Sequence, residues 1–170
     1  MRDTPDQLHT IIDTLRLSDR ELAEAVSRSA AASGDGQPQS MRRSPAGAGV
    51  DLPRTLVRIC QQRGNCVTYL IKPRDLHANG IVFLHGSFVH EGAKCAVLLR
   101  LSDGTPTQLA ATVLRCRHVG GHIHELVAVF DRAIAVTDYA FADGSPLPEI
   151  KDVDRAAQKS AATAVLARPV

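Results

Sequence analysis

Between residues 52 and 136 the chain repeats one pattern: a short run of apolar and β-branched residues, then a turn rich in Gly, Asn or Asp. Residues 55–61 and 66–71 flank Gln62-Arg63-Gly64-Asn65, residues 94–101 and 107–117 flank Ser102-Asp103-Gly104, and residues 113–119 and 122–130 flank Gly120-Gly121. Such turns supply the positive φ that tight hairpins demand. Residues 80–84 add a short, wholly apolar strand. No helical periodicity interrupts the series, so neighbouring strands must pair antiparallel. The pattern predicts an all-β domain over residues 50–140, a sandwich or barrel of about six strands. Aromatic residues are only 4% of the chain, so the expected core is Val, Leu, Ile and Ala with Phe83, Phe88 and Phe130.

The flanks read differently. Residues 4–31 predict two helical pieces within an N-terminal segment, 1–31. Thr4-Pro5-Asp6-Gln7 has the form of a capped start, followed by Leu8, Ile11, Ile12 and Leu15 at helical spacing. Ser18-Asp19-Arg20-Glu21 is a second capping box, leading into Leu22, Ala25 and Val26. Residues 32–49 turn to Ser, Gly, Pro, Gln and Ala without periodicity, the composition of a flexible linker. Beyond such a linker the helices are expected to be dispensable for the β-domain and to serve a partner or self-association. Residues 141–170 form a tail whose Ala-rich stretch, 153–167, can be helical.

A formal charge of +2 argues against a nucleic-acid polymer or a membrane surface as partner. No run of eighteen apolar residues occurs, and the N-terminus lacks the apolar core of a signal peptide. The expected location is the cytoplasm. There Cys60, Cys66, Cys95 and Cys116 are expected as small buried apolar residues rather than disulfides. No nucleophile elbow, phosphate-cradling loop or paired carboxylates occur, so an enzyme is not expected.

The stretch Arg74-Asp75-Leu76-His77-Ala78-Asn79-Gly80-Ile81, with Glu125-Leu126-Val127-Ala128-Val129-Phe130 some fifty residues on, resembles the PilZ family of bacterial cyclic di-GMP-binding domains. The resemblance spans about residues 42–135, and the segment 113–130 is similar to the family's last hairpin. It implies a six-stranded antiparallel PilZ-like barrel and a receptor that relays cyclic di-GMP binding to an unidentified protein partner, with a homodimer left open. No cofactor is implied beyond that ligand. The family pattern implies that Asp75 accepts from guanine N–H groups and that Gly80 leaves room for backbone approach. Asn79 is expected to tolerate positive φ. His77 stands where the family usually has Ser, and it can donate an N–H to phosphate.

Arginine suits both halves of the ligand, because its fork bonds phosphate or guanine and its plane stacks on a base. The family's Arg-x-x-x-Arg pair has two registers here. Arg54 and Arg58 have the spacing, whereas Arg42 or Arg43 has Ala46 and Gly47 four residues later. The candidate ligand-binding set is therefore Arg43, Arg54, Arg58, Asp75, His77, Asn79 and Gly80. Loss of the pair would leave a degenerate domain that acts as a protein-interaction module. A third alternative is a zinc-stabilised β-domain using Cys116, His118, His122 and His124. A two-residue Gly120-Gly121 loop would put His122 and His124 on the face opposite Cys116 and His118; a three-residue loop would bring all four together. His85 and His90 are expected in a loop.

Overall fold

In a computed structural model the described residues are 11–31, 52–61, 64–141 and 143–144. Their elements are β1 (Ile11–Asp13), α1 (Asp19–Ala31), β2 (Thr55–Cys60), β3 (Cys66–His77), β4 (Gly80–His85), β5 (Lys94–Leu101), β6 (Pro106–Gly120), β7 (Ile123–Phe130) and β8 (Tyr139–Ala140). The linker at 32–49, Arg43 within it, the capped start near Thr4 and the Ala-rich tail lie outside the described residues.

Strands β2 to β7 close into a six-stranded antiparallel barrel with the neighbour order β2-β3-β4-β7-β6-β5 and β5 back on β2. Closure removes the exposed edges of those six strands. The expected hairpins at Gly64 and Gly104 are present, with φ of 83° and 84°. Alternation puts Val57, Ile59, Ile71, Phe83, Val97, Leu99, Leu109, Val113, Leu126 and Phe130 inside. Each such side chain contributes about 1.5–3 kcal/mol when removed from water. Phe83 and Phe130 are core as expected, Phe141 joins them, and Phe88 is instead 57% exposed.

The chain's bends have local causes. In β3 the register shifts between Pro73 and Asp75, with Arg74 as the extra residue. Proline has no ladder donor, and β2 has already ended opposite Ile71, so a bulge is tolerated there. In β6 the register shifts at Leu114, which is left 46% exposed, and again between His118 and Gly120.

The N-terminal segment corrects two expectations. Ile11 and Ile12 are not helical: β1 lies parallel to β3, with Ile11 opposite Thr68 and Asp13 opposite Leu70. Two consecutive β-branched residues suit a strand once a partner is available. Nor does α1 hang free. Its Ser18–Glu21 capping box forms, with the Ser18 N–H donating to Glu21 Oε2 at 2.9 Å. Leu15, Leu22 and Ala25 are buried against Leu84 and Ile123 on the outside of the barrel. This second small core buries Leu84, and a third cluster buries Val82 against Val127 and Val129, so every residue of β4 is buried, on both faces.

The cysteine expectation is also corrected. Cys60 and Cys66 form a disulfide. The Gln61 N–H donates to Asn65 O at 3.0 Å, so the adjacent pair Cys60–Cys66 occupies a non-hydrogen-bonded position, where side chains approach most closely. Cys95 and Cys116 are free. Among the described residues no helix is long and apolar enough to cross a membrane.

Candidate functional site

Leu76 points into the core, which turns Asp75 and His77 to the outer face of β3, beside Val82 of β4. There the Asp75 carboxylate accepts from Arg74 Nε at 2.7 Å. His77 is half-buried, and its Nε2 is a buried atom with no hydrogen-bond partner. Burial holds the imidazole below its usual pKa; the Asp75 charge opposes this and the Arg74 charge reinforces it. The two-residue turn Ala78-Asn79 follows. Asn79 does not adopt positive φ, which among non-glycine residues occurs only at Arg16 within the described chain. Its role is through the backbone: Phe130 N–H donates to Asn79 O, and Ile134 N–H to Ala78 O, both at 2.8 Å. Gly80 is buried opposite His77 and Val129.

The two arginines part company. Arg54 precedes β2, and its Nη1 donates to Asp13 Oδ2 at 2.7 Å. Its Nη2 is buried without a partner. Asp13 also accepts from the backbone N–H of Leu15 and Arg16 through Oδ1, at 3.0 and 3.3 Å. Partial burial raises the Asp13 pKa, but the Arg54 hydrogen bond, these amides and the Arg54 charge together hold it below the usual carboxylate value. Arg58 lies farther along the outer face, opposite Thr68. Thr68 is seven positions before Asp75, roughly 23 Å along a strand. Arg58 is thus not brought to Asp75, and Arg54 is the nearer cation.

A network that the sequence did not reveal lies beside this face. Glu125, 2% exposed, accepts from Arg74 Nη1 through Oε2 and from Arg117 Nη2 through Oε1, the latter at 3.0 Å. The Ser29 hydroxyl donates to the same carboxylate. Both arginines also donate to the Ser29 carbonyl, at 3.3 and 3.1 Å. Two guanidinium groups therefore satisfy a carbonyl near the C-terminal end of α1, where the helix dipole favours positive charge. The only signal in the sequence was a lone carboxylate inside an apolar strand, Glu125 before Leu126-Val127-Ala128-Val129.

Three histidines, His85, His118 and His124, meet at one end of the barrel. His118 and His124 are cross-strand partners with rings 5.3 Å apart, and His85 is the partner of His124 on the other side. His85 ends β4 and is buried, not a loop residue; its Nε2 has no partner. His90 does lie in the following loop, with its ring 5.0 Å from Phe88. The β6–β7 hairpin follows neither expected loop. Gly121-His122 forms the turn, Gly120 pairs with Ile123, and the irregularity at Val119 restores His118 to His124. His122 then points away, its Nε2 3.0 Å from Leu15 O. The zinc alternative loses its fourth member, and among the described residues no three His, Cys, Asp or Glu side chains are grouped to hold a metal ion.

The chain matches no family model, no curated protein and no solved structure.

Proposed function

We propose that this protein is a non-enzymatic receptor of PilZ type whose ligand, cyclic di-GMP, docks on the outer face of β3 and is relayed to a protein partner. The observation that carries the reading is a coincidence of positions. His77 and Arg54, both picked out by the PilZ-like motifs, are also two of the few described residues with a buried polar atom lacking a partner, His77 Nε2 and Arg54 Nη2. An unpaired buried donor costs about 1–3 kcal/mol, which a phosphate or guanine acceptor would recover. Asp75 supplies an acceptor on the same face. Arg54 is shared with Asp13, so binding requires the ligand phosphate to compete with that carboxylate. The expected affinity is accordingly weak and salt-sensitive.

The Arg54–Asp13 and Arg74–Asp75 pairs favour one second reading. If those charges serve only to hold the N-terminal segment and α1, the domain is a degenerate PilZ barrel that acts as a protein-interaction module. Isothermal titration with cyclic di-GMP at low salt separates the two. The receptor reading expects saturable heat that Arg54→Ala weakens at least about tenfold, the loss of one charge-assisted hydrogen bond. No heat with the wild type leaves the adaptor reading, and an affinity untouched by Arg54→Ala means that Arg54 is not the arginine that serves the ligand.

A further inference from the structure

The four cysteines divide sharply by environment. Cys95 is 5% exposed in the core, and its thiol is pushed up to about 12, first by burial and then by the Asp131 charge, with Lys94 opposing. Burial also raises Cys116. Neither is suited to thiol chemistry at neutral pH. Cys60 and Cys66 differ: they are half-buried, face the outside of the barrel at the end of the β2–β3 hairpin, and are already joined. Lys94 is the register partner of Cys60 on β5, and Arg58 lies two residues before Cys60 on the same face. The neighbouring outward positions, Thr68, Ala96 and Thr112, carry no carboxylate. Lys94 Nζ donates to Thr112 Oγ1 at 2.8 Å, which holds the ammonium on the outer face but on the β6 side of its strand, so Arg58 is the cation on Cys60's own strand.

We propose that the Cys60–Cys66 pair is a thiol–disulfide exchange site whose reactant is a low-molecular-weight thiol. The incoming thiolate attacks Cys66 Sγ, the S–S bond breaks, and Cys60 departs as a thiolate on the outer face that also carries Arg58 and Lys94. A cation next to the leaving sulfur speeds this step, because a better-stabilised thiolate leaves faster. A second thiolate then attacks the reagent's sulfur in the mixed disulfide and releases Cys66. Two small thiols have become one small disulfide, and the protein disulfide has become two thiols. The reverse sequence, starting from the small disulfide, restores the bond. This site is independent of the nucleotide reading.

The test treats the full chain with reduced glutathione at neutral pH without denaturant, quenches by alkylation, and maps the labelled cysteines by mass spectrometry. The expected result is joint labelling of Cys60 and Cys66, with a glutathione adduct on Cys66 at early times and Cys95 unlabelled. Lys94→Gln with Arg58→Gln should slow release about three- to fivefold, and Lys94→Arg alone should leave it near the wild-type rate. A disulfide that persists in millimolar glutathione overturns the proposal. So does release at equal rates in wild type and double variant, or labelling of Cys60 and Cys66 only together with Cys95, which would mean that global unfolding exposes them.

Discussion

Arg54 Nη1 donates to Asp13 Oδ2 at 2.7 Å, tying the residue before β2 to the residue that ends β1, 41 positions earlier. Both side chains are partly open to solvent, 27% and 34% exposed, so the pair itself contributes at most about 1 kcal/mol. Its importance is positional, since Asp13 also organises the turn into Leu15. Arg54→Ala should lower the urea midpoint only slightly while raising amide exchange at Asp13 to Leu17. A large loss of global stability would show that Arg54 has a deeper structural role.

Gly86 sets the approach of the same segment to the barrel. Its N–H donates to Thr14 Oγ1 at 2.9 Å, and a Cβ placed there would lie 2.1 Å from the Thr14 carbonyl oxygen. Gly86→Ala should therefore displace residues 13–15 and cost roughly 1–3 kcal/mol in chemical denaturation. A variant as stable as the wild type would mean that the segment yields freely.

Removing the segment altogether should be worse. Leu84 and Ile123 are covered by Leu15, Leu22 and Ala25, and Arg74, Arg117 and Glu125 would lose Ser29. A chain beginning at Gly49 should be poorly soluble or only partly folded, as judged by near-ultraviolet circular dichroism and gel filtration. A monomer with native stability would restore the idea that the segment is an appendage.

How far the sequence reached can be seen from these same residues. The Ser18 capping box, the Asp103-Gly104 hairpin and the barrel itself were legible because their causes are local: caps, turn chemistry and alternation. Ile11 and Ile12 were misread because Leu8 and Leu15 complete a helical spacing, and only pairing with β3 makes the strand. The bulges at Arg74, Leu114 and Val119 left no readable mark, yet they decide which of the histidines and charges meet. Glu125 could not be linked to Arg74, Arg117 and Ser29, since its partners come from β3, β6 and α1. The disulfide was missed because compartment was weighed above the register that sets Cys60 opposite Cys66. At the candidate site, the shared outer face of Asp75 and His77 follows from strand alternation about Leu76, whereas the separation of Arg58 from Asp75 depends on a register that the sequence does not display.

Glu125 is the centre of a buried ion network, so breaking it should be costly. Glu125→Ala takes one of two carboxylates from Arg74, whose side chain is 1% exposed, and leaves Asp75 as its remaining counter-charge. The expected loss is about 3–5 kcal/mol in chemical denaturation. The isosteric Glu125→Gln keeps the shape and should lose less. Near-equal stability of wild type and Glu125→Ala would mean that Arg74 reaches water when the carboxylate is removed.

Two histidines should make the fold acid-sensitive. Burial lowers the pKa of His77 and, with the His124 charge adding to it against a Ser87 backbone hydrogen bond, that of His85. A folded-state value below the unfolded 6.5 means that the unfolded chain binds more protons. Their contribution is then complete above that value and declines as pH falls through it toward the folded values. Urea midpoints should drop between about pH 7.5 and 5.5, and less in His85→Gln. An unchanged slope in that variant would assign the acid sensitivity elsewhere.

Titration of the wild-type protein with cyclic di-GMP at about pH 8 and pH 6, beside His77→Ser, tests the central claim most directly. A phosphate near the half-buried imidazole favours its protonated form, so binding should take up a fraction of a proton and tighten as pH falls. His77→Ser should bind with an affinity nearly independent of pH. Saturable binding with that pattern is the predicted result. Absence of binding at both pH values, with the protein folded, would contradict the account and leave a ligand-free adaptor.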